Sequence, residues 1–420
     1  MNKSILLLKT ALAAAIKAFA GLVAFLMTAV ITRAMGAEES GLFFLAISIL
    51  AFCSVFFRLG LDNAFIRILG ADKGSPYSIR AISTGISWSV LAAIIFASVV
   101  FLSADLIAES ALSKPDFLPV LSTMIWALPF MVVFMLLSFA FQAFYKVIIA
   151  TWFQNLGVSL LFLLILLLAT HFGIEISAVN LSLYYLSSAI LICFFALLLW
   201  HKQINGQWRW RFRDHKLWHS ASNLWAASTM SLAVQWSGIL IAGIFVTSSE
   251  IAYLSAAQRT AMLISFVLIV VNMVAAPRYA LLWKQGKMKD IQLLAKWSTR
   301  GMIVLALPVV TVMIFSPNLF MSLFGDEFLV AGDLLAIMAL GQFINVCTGS
   351  VGYLLTMSGH EKDFRRVTLF AGPLTIILSY LLIQDYGVLG AAFATAIGLS
   401  VQNLGALVMV KKRLGFWPIG

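Results

Sequence analysis

Long apolar runs separated by short polar breaks recur along the whole chain. Each run has about the length, roughly 20 residues, that a helix needs to cross a bilayer, and none shows the alternation of a membrane strand. We therefore predict an all-α membrane protein with about twelve transmembrane helices. The predicted spans are 11–32, 41–57, 81–104, 118–140, 148–170, 178–200, 221–246, 251–276, 299–315, 331–357, 367–383 and 391–410.

The composition supports lipid as the main solvent of the surface. Of the 420 residues, 62% are hydrophobic and 11% are charged, and so few charged residues cannot cover a soluble globule of this size. The first run, from Ala11 to Thr32, is longer than a signal-peptide core and is interpreted as a retained helix. The three cysteines lie in separate apolar segments, which favours neither disulfides nor a zinc site.

Basic residues are distributed unevenly about the predicted spans. If the N-terminus is cytoplasmic, all 28 Lys and Arg residues except four lie in cytoplasmic segments. Arg33 and Lys114 lie on the outer side, and Lys17 and Arg259 lie within predicted helices. Because cytoplasmic loops are enriched in Lys and Arg, both termini are predicted to be cytoplasmic. The net charge of +11 then reports membrane orientation, and no nucleic acid partner is expected.

Two stretches of sequence recur about half a chain apart. Residues 35–46 resemble residues 245–256, and residues 171–178 match residues 385–392 more loosely. Six predicted helices separate the members of each pair, so the two halves have the same orientation in the membrane. This pattern predicts two six-helix lobes, related as parallel repeats, around a central cavity.

The longest cytoplasmic link divides the predicted helices six and six. It covers residues 201–219, between an N-lobe at 1–205 and a C-lobe at 206–420, and its sequence from Trp208 to Arg213 alternates aromatic and basic residues. Aromatic rings anchor in the headgroup zone, and each Lys or Arg contributes about 1 kcal/mol of binding free energy beside anionic lipids. We predict that this link lies against membrane lipids.

No motif for ATP hydrolysis or metal catalysis is visible. The chain has no Walker-type phosphate loop, no metalloprotease helix and no Cys-x-x-Cys pair. His215 and His219 have a chelating spacing but no evident third ligand. The longest outer loop, 316–330, is too short for a catalytic domain. These features predict a transporter and not an enzyme, without cofactor or metal, for which a proton or sodium gradient is one energy source.

Two cations lie inside predicted helices, where a charge costs roughly 2.5 to 3.5 kcal/mol. Lys17 shares a face with small residues and Thr28, and either lines a cavity or snorkels to the headgroups. Arg259 lies deeper, and its neighbour Gln258 begins a polar stripe that continues to Asn272. A cavity-facing, anion-binding role is predicted for Arg259, with pairing to a buried acid as the alternative.

Other polar residues complete the predicted lumen. Arg58 and Asp62 lie at the cytoplasmic end of the second helix, where a solvated helix end is the alternative interpretation. Amides in apolar helices more often join helices than bind ligands, but as a set they indicate a polar lumen. The predicted cavity residues are Thr28, Asp62, Gln235, Gln258, Asn272, Gln342 and Asn345.

The sequences Ile31–Phe43, Arg58–Asp62 and Tyr386–Ala392 resemble the polysaccharide-biosynthesis branch of the multidrug, oligosaccharidyl-lipid and polysaccharide exporter superfamily. The resemblance implies a bacterial inner-membrane flippase that moves undecaprenyl-pyrophosphate-linked units, of the O-antigen or capsule and exopolysaccharide type, to the periplasmic leaflet. In related lipid II flippases, cations of the first, second and eighth helices face the pyrophosphate site. By helix and depth this implies Lys17, Arg58 and Arg259, although the first-helix cation here is Lys and not Arg.

Two other functions stay open at this stage. A multidrug exporter or other small-molecule or ion antiporter of the same fold would need buried carboxylates for cationic substrates, whereas the deepest charges here are Lys17 and Arg259. An integral-membrane glycan polymerase or ligase would need a larger outer loop. Besides the lipid-linked oligosaccharide, the resemblance implies a glycan polymerase and chain-length machinery as partners.

Overall fold

The computed structural model describes residues 3–69, 76–206, 208 and 215–419. Within these ranges the ordered elements are helices and no strand occurs. The α-helices, numbered along the chain, are α1 Lys3–Phe57, α2 Leu61–Leu69, α3 Pro76–Leu102, α4 Phe117–Met124, α5 Ala127–Ala143, α6 Val147–Thr151, α7 Gly157–His171, α8 Ala178–Gln203, α9 His215–Phe245, α10 Ser248–Met262, α11 Phe266–Lys284, α12 Met288–Phe315, α13 Asn318–Met321, α14 Gly332–Thr348, α15 Val351–Met357 and α16 Glu361–Leu414. Short π-helical turns lie at Leu106–Ala111 and Trp152–Leu156, and 3-10 turns lie at Leu263–Ser265, Ser322–Phe324 and Asp326–Ala331.

The predicted all-α membrane architecture is confirmed. Nine helical stretches of the described residues are long and apolar enough to cross a membrane, and the bent pair α4 and α5 makes ten. Two of these stretches, α1 and α16, are interrupted at Gly36 (φ 75°) and Gly387 (φ 55°), where the backbone leaves the helical region. Counting the halves of each separately brings the number of spans in the described chain to twelve.

An ion pair shows that α16 folds back on itself. A straight helix of 54 residues would extend for about 80 Å. However, Arg413 near its end donates two hydrogen bonds, of 2.7 and 3.1 Å, to the carboxylate of Asp363 near its start. The chain therefore reverses at Gly387, which separates two spans as the hydropathy pattern predicts. We call this pair the Asp363–Arg413 clasp.

One predicted span is broken. The segment predicted at 118–140 consists of α4 and α5, which meet at a bend of 40°. Pro129 lies in the first turn of α5. Because proline has no backbone N–H and its ring collides with the carbonyl four residues earlier, Pro129 disrupts the helix around residue 125 and favours the bend there.

The chain divides into two compact units. The first comprises Met1–Met27 and Glu38–Thr229, and the second comprises Thr28–Ala37 and Met230–Gly420. The first helix therefore contributes to both units. The division of the duplicated halves at residue 206 stays a prediction, because the units reflect packing and not sequence repetition.

Each unit has its own apolar core. In the first, the rings of Phe43 and Phe162 stack 5.6 Å apart, and Trp200 meets Phe141 edge to face. In the second, Tyr279 is buried in a cluster of α11, α12, α15 and α16 side chains. Large apolar side chains such as Leu102 and Phe315 are 82% exposed, as expected for surfaces that face lipid.

The basic aromatic link lies mostly outside the described residues. Positions 207 and 209–214 are not described, which removes most of the Trp208 to Arg213 sequence from view. Trp208 is described, and its indole N–H donates to His201 Nδ1 at 3.1 Å. The predicted membrane-surface role of the link stays a prediction.

Candidate functional site

Arg259 lies on α10 in the second unit, where its side chain is half-buried. A capping box between Thr247 and Glu250 defines where α10 begins, because each residue accepts from the backbone of the other. Arg259 follows Thr247 by twelve residues, which is about 18 Å along a helix axis. A helix that begins at the membrane surface carries a residue at that distance close to the middle of a bilayer that is about 40 to 45 Å thick with its headgroups.

The guanidinium of Arg259 is bonded to a residue of the first helix. Arg259 Nη1 donates to Thr28 Oγ1 at 2.9 Å, and Thr28 is fully buried. Both residues belong to the second unit. A hydroxyl partner is neutral, so this bond orients the guanidinium without neutralising its charge.

A small cavity inside the second unit collects three of the predicted amides. Gln235, Gln258 and Gln342 line it, together with Thr395 and apolar side chains of α9, α10, α14 and α16. Gln258 is 5% exposed, and its Nε2 donates to the backbone carbonyl of Gln235 at 2.8 Å. Gln258 Oε1 is buried and has no hydrogen-bond partner among the described residues. We call this site the amide cavity.

A polar network continues from the amide cavity. Ser265, in the 3-10 turn between α10 and α11, donates to Gln342 Oε1. Asn345 Nδ2 lies 3.4 Å from both Ser265 Oγ and Gln342 Oε1. Asn272 lies further along on α11, where its Oδ1 is buried without a hydrogen-bond partner in the described chain.

Arg58 occupies a different environment in the first unit. Leu59 (φ 54°) and Gly60 (φ 74°) form a left-handed turn between α1 and α2, and a side chain at Gly60 would collide with the backbone of α9 at Trp225. Arg58 is 8% exposed, and its guanidinium carbon lies 5.5 Å from the centre of the Phe139 ring. The carboxylate of Asp62, 6% exposed, stabilises the Arg58 charge.

This burial changes the interpretation of the second-helix end. A solvated helix end was the alternative for Arg58 and Asp62, and the structure shows both side chains shielded from solvent. Arg58 Nε has no hydrogen-bond partner among the described residues. Cation and carboxylate therefore stabilise each other within the unit.

Lys17 lies on a half-buried face of α1. Its neighbour Ile16 packs against the cluster of Ala20, Val23 and Leu156 in the first unit. Within the part of the chain that the structure describes, Lys17 forms no ion pair. This position fits both interpretations of Lys17, a cavity cation and a snorkelling side chain.

The structure thus groups the predicted residues into three sets. Arg259 contacts Thr28, Arg58 lies beside Asp62, and Gln235, Gln258 and Gln342 share the amide cavity, which Asn345 joins through Ser265. Lys17 and Asn272 lie apart from these sets. Sequence reasoning missed Thr395, because a single hydroxyl in an apolar helix carries no signal. The binding roles of all these residues stay predictions.

A comparison with known protein families identifies the family of this chain. The family model described as polysaccharide biosynthesis protein matches residues 6–283. The chain belongs to the polysaccharide biosynthesis protein family. This match covers the first unit from residue 6 onwards and, in the second unit, helix α10, which carries Gln258 and Arg259.

Individual relatives of this family member are distant. The probable low-salt glycan biosynthesis flippase Agl15 of Haloferax volcanii is 27% identical over 171 residues, which cover 40% of this chain and 36% of that protein. The chain therefore matches little more than a third of the length of that relative.

Solved structures of low sequence identity share the fold of this family member. The lipid II flippase MurJ, in an inward closed conformation, superposes with a TM-score of 0.77 and 16% identity, over 95% of this chain and 87% of that chain. An outward-facing multidrug resistance MATE family transporter of the MOP superfamily gives a TM-score of 0.69 and 13% identity, over 99% and 98%. These likenesses confirm the predicted fold class.

Proposed function

We propose that this protein is a flippase that moves an undecaprenyl-pyrophosphate-linked oligosaccharide, a unit of O-antigen, capsule or exopolysaccharide, from the cytoplasmic to the periplasmic leaflet. In this proposal it lies in a bacterial inner membrane with both termini in the cytoplasm. The observation that carries the proposal is a guanidinium, that of Arg259, which lies within a membrane helix and donates to the hydroxyl of Thr28. Membership of the polysaccharide biosynthesis protein family, and the similarity to the probable flippase Agl15 and to the lipid II flippase MurJ, support it.

The proposed mechanism separates the substrate into three parts. The isoprenoid tail stays in lipid, because it is as apolar as the bilayer. The diphosphate cannot enter hydrocarbon as an unpaired anion and pairs with Arg259. The sugars meet neutral amides and hydroxyls. Alternating access between two lobes then exposes the site to the opposite leaflet.

Charge distinguishes this substrate from a cationic drug. A multidrug exporter of the same fold would stabilise a cation with a buried carboxylate that is free to pair with it. In the described chain, Asp62 is buried beside Arg58, and the amide cavity is lined by neutral side chains only. The deep cation Arg259 therefore favours an anionic substrate.

Replacing Arg259 tests the proposal in cells that depend on this protein. The lipid-linked intermediate that accumulates on gene deletion first identifies the substrate. We expect Arg259→Ala to lower its appearance in the periplasmic leaflet at least about tenfold, because a charge-assisted bond to the diphosphate is lost. Arg259→Lys should retain part of the rate. Periplasmic labelling of the intermediate measures the effect.

The matched control is Arg300→Ala, which removes an exposed arginine of α12 in the same unit. It should transport at the wild-type rate. Membrane levels of all variants are compared by immunoblot. Wild-type transport by Arg259→Ala at an equal membrane level would contradict the proposal.

A further inference from the structure

The amide cavity contains an acceptor that lacks a donor. Gln258 Nε2 donates to a backbone carbonyl at 2.8 Å, and a carbonyl oxygen accepts hydrogen bonds only from donors. This contact determines which end of the amide is nitrogen. The other end, Oε1, is therefore a true acceptor, and it is buried without a partner among the described residues. A buried acceptor of this kind is costly to leave unsatisfied.

The lining of the cavity defines what can satisfy this acceptor. Gln342 Oε1 already accepts from Ser265, with Asn345 Nδ2 beside it, and Thr395 donates its hydroxyl to Ala391 O. The other lining side chains include Val234 and Met338, which are apolar. A bare cation needs several oxygen ligands at once, and an anion would be repelled by carbonyl oxygens. The group that fits is a neutral donor, such as a hydroxyl.

The position of the cavity relates it to the proposed anion site. Gln258 directly precedes Arg259 on α10. Successive residues of a helix are separated by 1.5 Å along the axis and about 100° around it. The two side chains therefore leave α10 in different directions, and a ligand that contacts both must extend from the guanidinium of Arg259 around α10 to Gln258. In a lipid-linked oligosaccharide, the group next to the diphosphate is the first sugar.

We propose that the amide cavity receives a hydroxyl group of the sugar attached to the diphosphate, so that Gln258 distinguishes a sugar-bearing lipid diphosphate from the bare lipid diphosphate. This inference rests on the proposed function and assigns the sugar contact to a particular side chain. This contact would also make the flippase select against the bare carrier lipid. A site built to bond a hydroxyl rejects the analogue that lacks it, because its own polar group is then left unpaired.

Binding to the purified full-length protein in lipid nanodiscs tests this inference. The two probes are undecaprenyl diphosphate and undecaprenyl diphosphate that carries one hexose. The wild-type protein should bind the sugar-bearing lipid about tenfold more tightly than the bare lipid. Gln258→Met has a similar volume but no acceptor of this kind. It should bind both lipids with the affinity that the wild type has for the bare lipid.

Gln402→Met is the matched control. Gln402 is also buried in the second unit, and it donates to Thr368 Oγ1 at 3.2 Å, but it does not line the amide cavity. This variant should keep the tenfold preference. Unchanged discrimination by Gln258→Met overturns the inference, and so does an equal loss of discrimination in both variants, which would indicate a structural effect.

Two further outcomes separate this inference from its alternatives. If sodium alone raises the melting temperature of the wild type but not of Gln258→Met, the cavity is a cation site and the inference is wrong. If the wild type binds both lipids equally, and Arg259→Ala binds neither, the inference fails while the proposed function stands. If Arg259→Ala binds both lipids like the wild type, the proposed function itself fails.

Discussion

Two arginines of this chain show how one residue type is used in two ways. Arg58 in the first unit is 8% exposed, lies over the Phe139 ring and has its charge stabilised by Asp62. Arg259 in the second unit is half-buried and bonds to the hydroxyl of Thr28. The Arg58 cation lies over a ring and is stabilised by a carboxylate, whereas the Arg259 guanidinium donates to a hydroxyl of the first helix. Depth alone therefore does not identify a ligand-binding cation.

Replacing Arg58 should have the largest effect on stability. Arg58→Ala removes a buried cation that lies over the Phe139 ring and is stabilised by the charge of Asp62, and a desolvated cation–ring contact of this kind contributes about 2 kcal/mol. We expect a clearly lower melting temperature in detergent, measured by tryptophan fluorescence. Arg259→Ala, the comparison variant, should melt within a few degrees of the wild type. A variant at Arg58 that keeps its melting temperature but loses transport would place Arg58 in the binding site and break the contrast.

Thr28 provides a test of intermediate size. Thr28→Val keeps the shape of the side chain and removes the oxygen that accepts from Arg259 Nη1. We expect transport to fall about tenfold or more, because a hydrogen bond to a charged group contributes about 1.5 to 3 kcal/mol, while Thr28→Ser retains the wild-type rate. The control is Thr32→Val, whose hydroxyl donates only to Ala29 O one turn back. Equal losses in both valine variants would show that the effect is not specific to Arg259.

Lys17 should give the smallest effect. Its ammonium is partly exposed, and partly exposed charges contribute about 1 kcal/mol or less. We therefore expect Lys17→Gln to lower transport a few-fold and Lys17→Arg to leave it unchanged, as measured by periplasmic labelling. A loss as large as that of Arg259→Ala would mean that Lys17 is a main anion ligand and not a snorkelling side chain.

The general architecture could be predicted because lipid imposes a simple rule on the sequence. Apolar runs of span length identified the helices. The polar breaks near Gly36 and Gly387 correctly separated spans that lie within α1 and α16, where only one glycine leaves the helical conformation. The break before Pro129 was missed, because a span-length apolar run continues through it. Hydropathy shows whether a segment lies in lipid or in water. The bends within a segment depend on individual residues such as Pro129.

The candidate site could be predicted only in part. Polar residues in apolar helices identified Arg259 and Gln258 as candidates, since such residues are costly in lipid. Which residue bonds to which could not be predicted, because Thr28 meets Arg259 across 231 positions of sequence. The burial of Arg58 depends on Phe139 and on a left-handed turn, and no spacing in the sequence indicates either one.

The Asp363–Arg413 clasp has a practical consequence for anyone who handles this protein. Beyond Arg413, Gly415 caps the helix and Phe416 is buried. Truncations intended to make a membrane protein easier to express often remove segments of this kind. A truncation after residue 410 would leave the Asp363 carboxylate without its bidentate partner. The last turn of α16 therefore belongs to the fold and should be kept in every expression design.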